Sequence, residues 1–251
     1  MLAALPTSDK LGGVDRILTK VTSRAKRRDE IVLTTWKVWM PYHRIWVSCS
    51  DTDTSKTEKV ATALNAMFCA SAATERELLQ LFRPKHLDRP LEEIDPEPTE
   101  VVCPYPKVDL KAIVEKLIKI HTEARDQLSE IEPQLVRSYR RMQWRYLFLP
   151  TTTGQIQREM ETSTKVAELR SRCLAVEACL NMESSFAPLK VEDHDIFYIP
   201  MTVAFVGGSM NTTRYLLVDL TTGKVDAALT NLCELNEDFK TQLELSLHQR
   251  V

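Results

Sequence analysis

Two carboxylates, Asp51 and Asp53, follow an apolar segment and are followed by Thr54 and Ser55. That order suits attack on a phosphoryl group, with one carboxylate as nucleophile and the other as acid/base. The paired acids that would hold magnesium farther along the chain are missing. Read as a calcium loop, the same stretch has Lys56 where the required glycine should stand and Thr62 where the closing glutamate should stand. Glu192, Asp193, His194 and Asp195 gather metal-capable groups. Adjacent strand residues point to opposite faces, however, and no second histidine is near, so a solvated loop is the expectation. Thr222-Gly223-Lys224 has the end of a phosphate loop without its body and predicts a turn.

Glycine is scarce, 6 residues in 251, where about 7% is usual. None of the six sits in G-x-G-x-x-G, G-x-x-x-x-G-K-[ST] or G-x-S-x-G. Phosphate cradles and nucleophile elbows need glycine where backbone meets ligand or turns sharply, so the standard nucleotide-binding and hydrolase motifs are excluded. Cys49, Cys69, Cys103, Cys173, Cys179 and Cys233 form no C-x-x-C and predict reduced, mostly buried thiols. No catalytic, cofactor or metal residue is therefore assigned. With 33 Lys+Arg against 35 Asp+Glu, the net charge of −2 announces no polyanion partner. The N-terminal stretch lacks a basic start and Pro6 and Asp9 interrupt it, so neither a signal peptide nor a membrane span is expected. The location expected is cytoplasmic.

Residues 14–28 place Val14, Ile17, Leu18, Val21 and Ala25 on one helical face. Residues 31–49 have strand composition, divided by Pro41 into two strands or set at an edge or bulge. Residues 60–69 fit strand or helix, and 74–82 predict a helix. Six prolines between 84 and 106 predict an irregular linker.

The longest periodic signal starts at Leu110 and continues through Val114, Leu117, His121, Ala124, Leu128, Ile131, Leu135, Tyr139, Met142, Tyr146 and Leu149. Steps of three and four are the period of a coiled-coil seam. Pro133 predicts a kink or a restart. Pro150 to Gly154 supplies a turn, and a second helix follows with Ile156, Met160, Ser163, Val166, Leu169, Cys173, Val176 and Leu180 in its seam. Two such helices joined by five residues predict an antiparallel hairpin. Strands return after Ser185, and Asn236 opens a terminal helix with Phe239, Leu243 and Leu247 on one face.

Residues 39–47 and 198–206 share an aromatic, an apolar residue, proline and a strand, each then followed by a polar loop, an apolar run and a helix. An internal duplication and convergent strand chemistry both account for this. The fold expected is α+β, two small β-rich units flanking a long antiparallel helical hairpin. Its segments are an N-terminal α/β unit at 1–83, a Pro-rich linker at 84–107, the hairpin at 108–183 and a C-terminal α/β unit at 184–251.

Residues 136–158 hold five basic residues and no acid. The five are Arg137, Arg140, Arg141, Arg145 and Arg158, interleaved with Tyr139, Trp144, Tyr146 and Phe148. Arginine suits bidentate contacts with carboxylate or phosphate and stacks on flat rings. Arg137, Arg140, Arg141, Trp144, Arg145, Tyr146 and Arg158 are the candidate partner-binding set; the plainer alternative is a solvated arginine face around a packed seam. The function expected is a non-catalytic interaction or adaptor protein, self-associating or part of a larger complex. RNA or DNA binding through the same arginines is the second reading, and an enzyme using Asp51 and Asp53 is the third.

Overall fold

The computed structural model describes residues 1–6, 13–22, 30–51, 54, 56–67, 74–97, 100–105, 108–146, 153–183, 186–208 and 213–248, without the side chains of 141–146, 153 and 155. The fold is mixed α and β. In chain order the elements are β1 (Leu2–Ala4), α1 (Val14–Thr22), β2 (Ile31–Asp51), β3 (Thr57–Asn65), α2 (Glu75–Leu81), a single 3-10 turn (Pro84–Asp88) and β4 (Leu91–Glu93). Then come α3 (Leu110–Tyr146), α4 (Thr153–Leu180), β5 (Phe186–Gly207), β6 (Thr213–Asp219), β7 (Lys224–Val225), α5 (Ala227–Leu235) and α6 (Glu237–His248).

Contacts group the chain into two units, Met1–Val47 with Ala61–Asp109 and Glu192–Val251, and Ser48–Val60 with Leu110–Val191. In the first, a sheet of order β3-β2-β5-β1-β4 carries β6 and β7 beyond β5. α1 covers one face: Leu18 joins a cluster with Ala204, Val206, Leu216 and Val218, and Val14, Ile17 and Val21 pack against it. The apolar face expected of this helix is the face used. On the other face α5 packs on β6, and Thr230 Oγ1 accepts the Leu217 N–H at 3.2 Å. Asp226 caps α5, accepting from the Ala228 and Leu229 amides. Asn236 caps α6, whose Phe239, Leu243 and Leu247 are buried as their spacing implies.

Pro41 does not divide the strand around it. β2 runs unbroken for 21 residues. In a strand the N–H and C=O of one residue project to the same side. The Pro41 carbonyl faces β3 and accepts from Ala66 N–H at 2.9 Å, one residue past the end of β3. The missing donor therefore falls where the ladder stops. Pro200 repeats the device in β5: its carbonyl accepts from Leu220 N–H at 3.0 Å, one residue past the end of β6.

Residues 60–65 resolve as strand, and Thr74 opens α2 with a capping box closed by Glu77. Within the proline-rich segment, β4 pairs antiparallel with β1 and Val101 bridges Trp39.

In the second unit α3 passes through Pro133 without restarting. Proline there removes the bond to the Ser129 carbonyl and costs up to about 3 kcal/mol in a helix interior, part of which bending recovers. Pro133→Ala is expected to raise unfolding free energy by about 1–2 kcal/mol, read from urea titrations; an unchanged midpoint would mean the helix is already relaxed around the ring.

Candidate interaction surface

The seam of α3 begins as its period demands. Leu110, Val114, Leu117, His121 and Ala124 are buried, and Leu128, Ile131 and Leu135 are half-buried. On α4, Leu180, Val176, Cys173, Leu169 and Val166 are buried. Ala124 packs with Leu169 and Cys173, with Leu128 and Ile131 against them. α4 ends in a Schellman turn, Asn181 in the left-handed region (φ 56°) and Met182 N–H returning to the Glu177 carbonyl at 3.0 Å.

Polar contacts mark how the helices run past each other. His121 Nε2 lies 3.3 Å from Glu177 Oε1, both side chains buried or nearly so. Arg170 Nε donates to Glu132 at 2.7 Å on the surface, and Ser138 Oγ donates to Glu159. Positions 121, 132 and 138 thus meet 177, 170 and 159.

Beyond Leu135 the arrangement departs from the expected seam. Strict alternation of four and three brings Ser138 inward after Leu135, and counting back from Leu180 the same alternation brings Thr162 and Glu159 inward. All three are half-buried. Tyr139, Ile156 and Met160, expected in the seam, are instead exposed. The cause is geometric: on α3 two successive steps of four (131, 135, 139), and on α4 successive steps of three (169, 166, 163, 160), turn a residue off a seam that alternates. Among the described residues the pair is therefore polar inside at Ser138, Glu159 and Thr162, and Glu159 Oε2 lacks a hydrogen-bond partner there. Four of its described apolar side chains point outward, with relative exposures of 49% for Val136, 47% for Tyr139, 39% for Ile156 and 65% for Met160.

Of the candidate partner-binding residues, Arg137, Arg140 and Arg158 are exposed. Arg141, Trp144, Arg145 and Tyr146 belong to α3, but their side chains lie outside the described residues. Val136, Tyr139 and Arg140 stand at i, i+3 and i+4 on one face of α3, and Ile156 and Met160 at i and i+4 on α4. The sequence reading missed Val136, Ser138 and Glu159. Their signal was available: keeping the alternation strict from either end exposes all three.

The other chemical candidates are dispersed. Asp51 accepts from Thr54 Oγ1 at 2.7 Å, while Asp53 lies outside the described residues. Residues 192–195 sit in β5 rather than in a loop, because the long strand continues through them. Asp195 takes a fork from Arg44, whose guanidinium also lies 4.5 Å above the Trp46 ring. No group of three or more His, Cys, Asp or Glu among the described residues is arranged to hold a metal. Thr222 and Gly223 make the turn between β6 and β7, with Gly223 at φ 65°. The described cysteines are free thiols, and Cys103 is exposed, unlike Cys49, Cys173, Cys179 and Cys233. No described helix is long and apolar enough to cross a membrane. A 650 Å³ cleft between the sheet and α6 is floored by Thr34, Trp36, Phe205 and Tyr215. Its polar groups engage one another, Arg214 with Glu30 and Glu234, and Tyr215 Oη with Glu244.

No protein-family model matches the chain, and no curated protein or solved structure matches it either. The functional argument therefore rests on chemistry and placement.

Proposed function

We propose that this chain is a non-catalytic, cytoplasmic interaction protein of a larger complex. α3 and α4 act as an antiparallel helical hairpin whose far end contacts a protein partner. The reversed order of the three polar contacts supports the hairpin. The observation that carries the function is the inversion of that hairpin beyond Leu135, with Ser138, Glu159 and Thr162 inward and Val136, Tyr139, Ile156 and Met160 outward. A helix pair that exists only to hold itself together keeps its apolar residues in the seam. Covering these four side chains yields on the order of 4 kcal/mol before the costs of association. Arg137, Arg140 and Arg158 around them favour a partner carrying carboxylates.

The β-rich part is consistent with an internal duplication. Each copy comprises a long strand with a proline placed where the neighbouring strand ends, that neighbouring strand, and then a helix: β2, β3, α2 and β5, β6, α5.

The test is affinity purification from native lysate, with and without nuclease, using the wild-type chain and a Tyr139→Glu/Met160→Glu variant. Both positions are exposed, so circular dichroism and melting temperature should not change. A protein that survives nuclease and is lost from the variant is the expected result. The three exposed arginines also favour nucleic acid, which would appear as retention abolished by nuclease. Its affinity would fall with salt by about 0.9 log units per log unit of salt for each phosphate contacted. Identical recovery of every protein by wild type and variant would sink the proposal.

A further inference from the structure

Among the described strands, β2 is paired along residues 31–36 on one side only. Its neighbours are β3 and β5. The bonds Asp51 N–H to Lys56 O and Ala66 N–H to Pro41 O set β3 opposite residues 41–51. Next to these, Trp39 bridges Val101 and its carbonyl accepts from Val102 N–H at 3.1 Å. β5 occupies the opposite edge. It runs antiparallel to β2, since Tyr42 meets Phe197, Arg44 meets Asp195 and the Leu33 side chain lies over Gly207. From 31 to 36 no described strand pairs with the outer edge.

Residues 31–36 read Ile-Val-Leu-Thr-Thr-Trp, without charge, proline or glycine. Ile31, Val32 and Leu33 have relative exposures of 63%, 37% and 50%, so both faces of the strand are uncovered here. Edges of this kind are ordinarily blunted by a lysine, a proline or a bulge; here the first lysine, Lys37, stands just past this run. The preceding acid, Glu30, is held by two bonds of 3.0 and 2.9 Å from Arg214, so its charge is already compensated.

We infer that this edge pairs antiparallel with the same edge of a second copy of the chain. A two-fold axis normal to the sheet brings residues of equal parity opposite each other. With Thr34 on the axis, Val32 faces Trp36 of the second copy on one face of the sheet, and Leu33 faces Thr35 on the other. β-Branched residues opposite aromatics, and threonine opposite threonine, are favourable cross-strand pairs. Within 31–36 no like charges meet. The contact is isologous and closes at two copies, so the open donors and acceptors are satisfied without a fibre. This surface belongs to the first unit and is independent of the hairpin.

Sedimentation velocity on the full chain tests the inference. The wild-type chain is expected to be a dimer at micromolar concentration. Thr34→Lys and Thr34→Glu each set a charge against its own copy at the axis and should weaken the dimer by about 100-fold or more. Mixing the two variants should restore a dimer. Thr34 is exposed, and unchanged circular dichroism of each variant confirms folding. Tyr139→Glu/Met160→Glu should leave the dimer intact, which separates this contact from the hairpin's. A wild-type monomer, or a mixture of the Lys and Glu variants that stays monomeric, overturns the inference.

Discussion

Asp226→Ala is expected to cost about 3–5 kcal/mol of unfolding free energy, the largest loss from any single substitution considered. The carboxylate has two tasks. Oδ1 caps α5, accepting from Ala228 N–H at 3.1 Å and Leu229 N–H at 3.0 Å. The same group takes a fork from Arg83, Nε to Oδ2 at 3.2 Å and Nη2 to Oδ1 at 3.1 Å, with side-chain exposures of only 19% and 10%. A lost cap costs about 1 kcal/mol. Taking the carboxylate away from a mostly buried guanidinium costs about 3 kcal/mol more. Asp226→Asn separates the two tasks, since its amide oxygen still caps while the charge is gone. Urea unfolding should place the Asn variant between wild type and Ala. Equal losses in the two variants would assign the whole effect to the ion pair, and a loss below about 1 kcal/mol would refute the account.

His43→Phe is expected to flatten the acid limb of the stability curve between pH 6.5 and 4. His43 is buried and neither ring nitrogen has a hydrogen-bond partner among the described residues. Burial, reinforced by His194 with ring centroids 6.2 Å apart, lowers its pKa from 6.5 to about 4. Between these values the unfolded chain binds a proton that the folded chain refuses. The contribution is therefore fully present above pH 6.5 and is lost as the pH falls towards 4. At about 1.4 kcal/mol per pKa unit the loss is about 3 kcal/mol. Phenylalanine breaks no hydrogen bond to a described residue and cannot take the proton. Asp219 acts lower on the scale. Burial would raise its carboxyl, but hydrogen bonds from His86 and Thr221 outweigh this and hold it at about 2. Its stabilisation is present above about pH 4 and is lost below, so the two windows separate. Chemical denaturation from pH 7.5 to 4.5 reads the difference; wild-type and variant curves that stay parallel would rule out the role given to His43.

The elements that obey a single local period were legible without coordinates. Val14, Ile17, Leu18 and Val21 face the sheet, and Phe239, Leu243 and Leu247 are buried, because a helical face is decided by spacing within one segment. The first five turns of α3 follow the same logic. The seam went astray at Tyr139, where an aromatic residue outweighed a serine one position earlier. Hydropathy favours Tyr139 for burial, but the direction of the helix axis relative to its neighbour places Ser138 there. Of the seven candidate residues, Arg137, Arg140 and Arg158 are exposed, as both the partner surface and the solvated arginine face would have them.

What the chain determines by itself is which residues form each element and which face of a helix is apolar, since both follow from backbone periods of 3.6 and 2 residues. Tertiary structure alone decided where each strand stops being paired. Pro41 lies inside β2 because β3 ends beside it, and residues 31–36 are an open edge because no described strand reaches them. Backbone donors and acceptors are the same at every residue, so their pairing is settled by segments far away in sequence, and no local pattern records it.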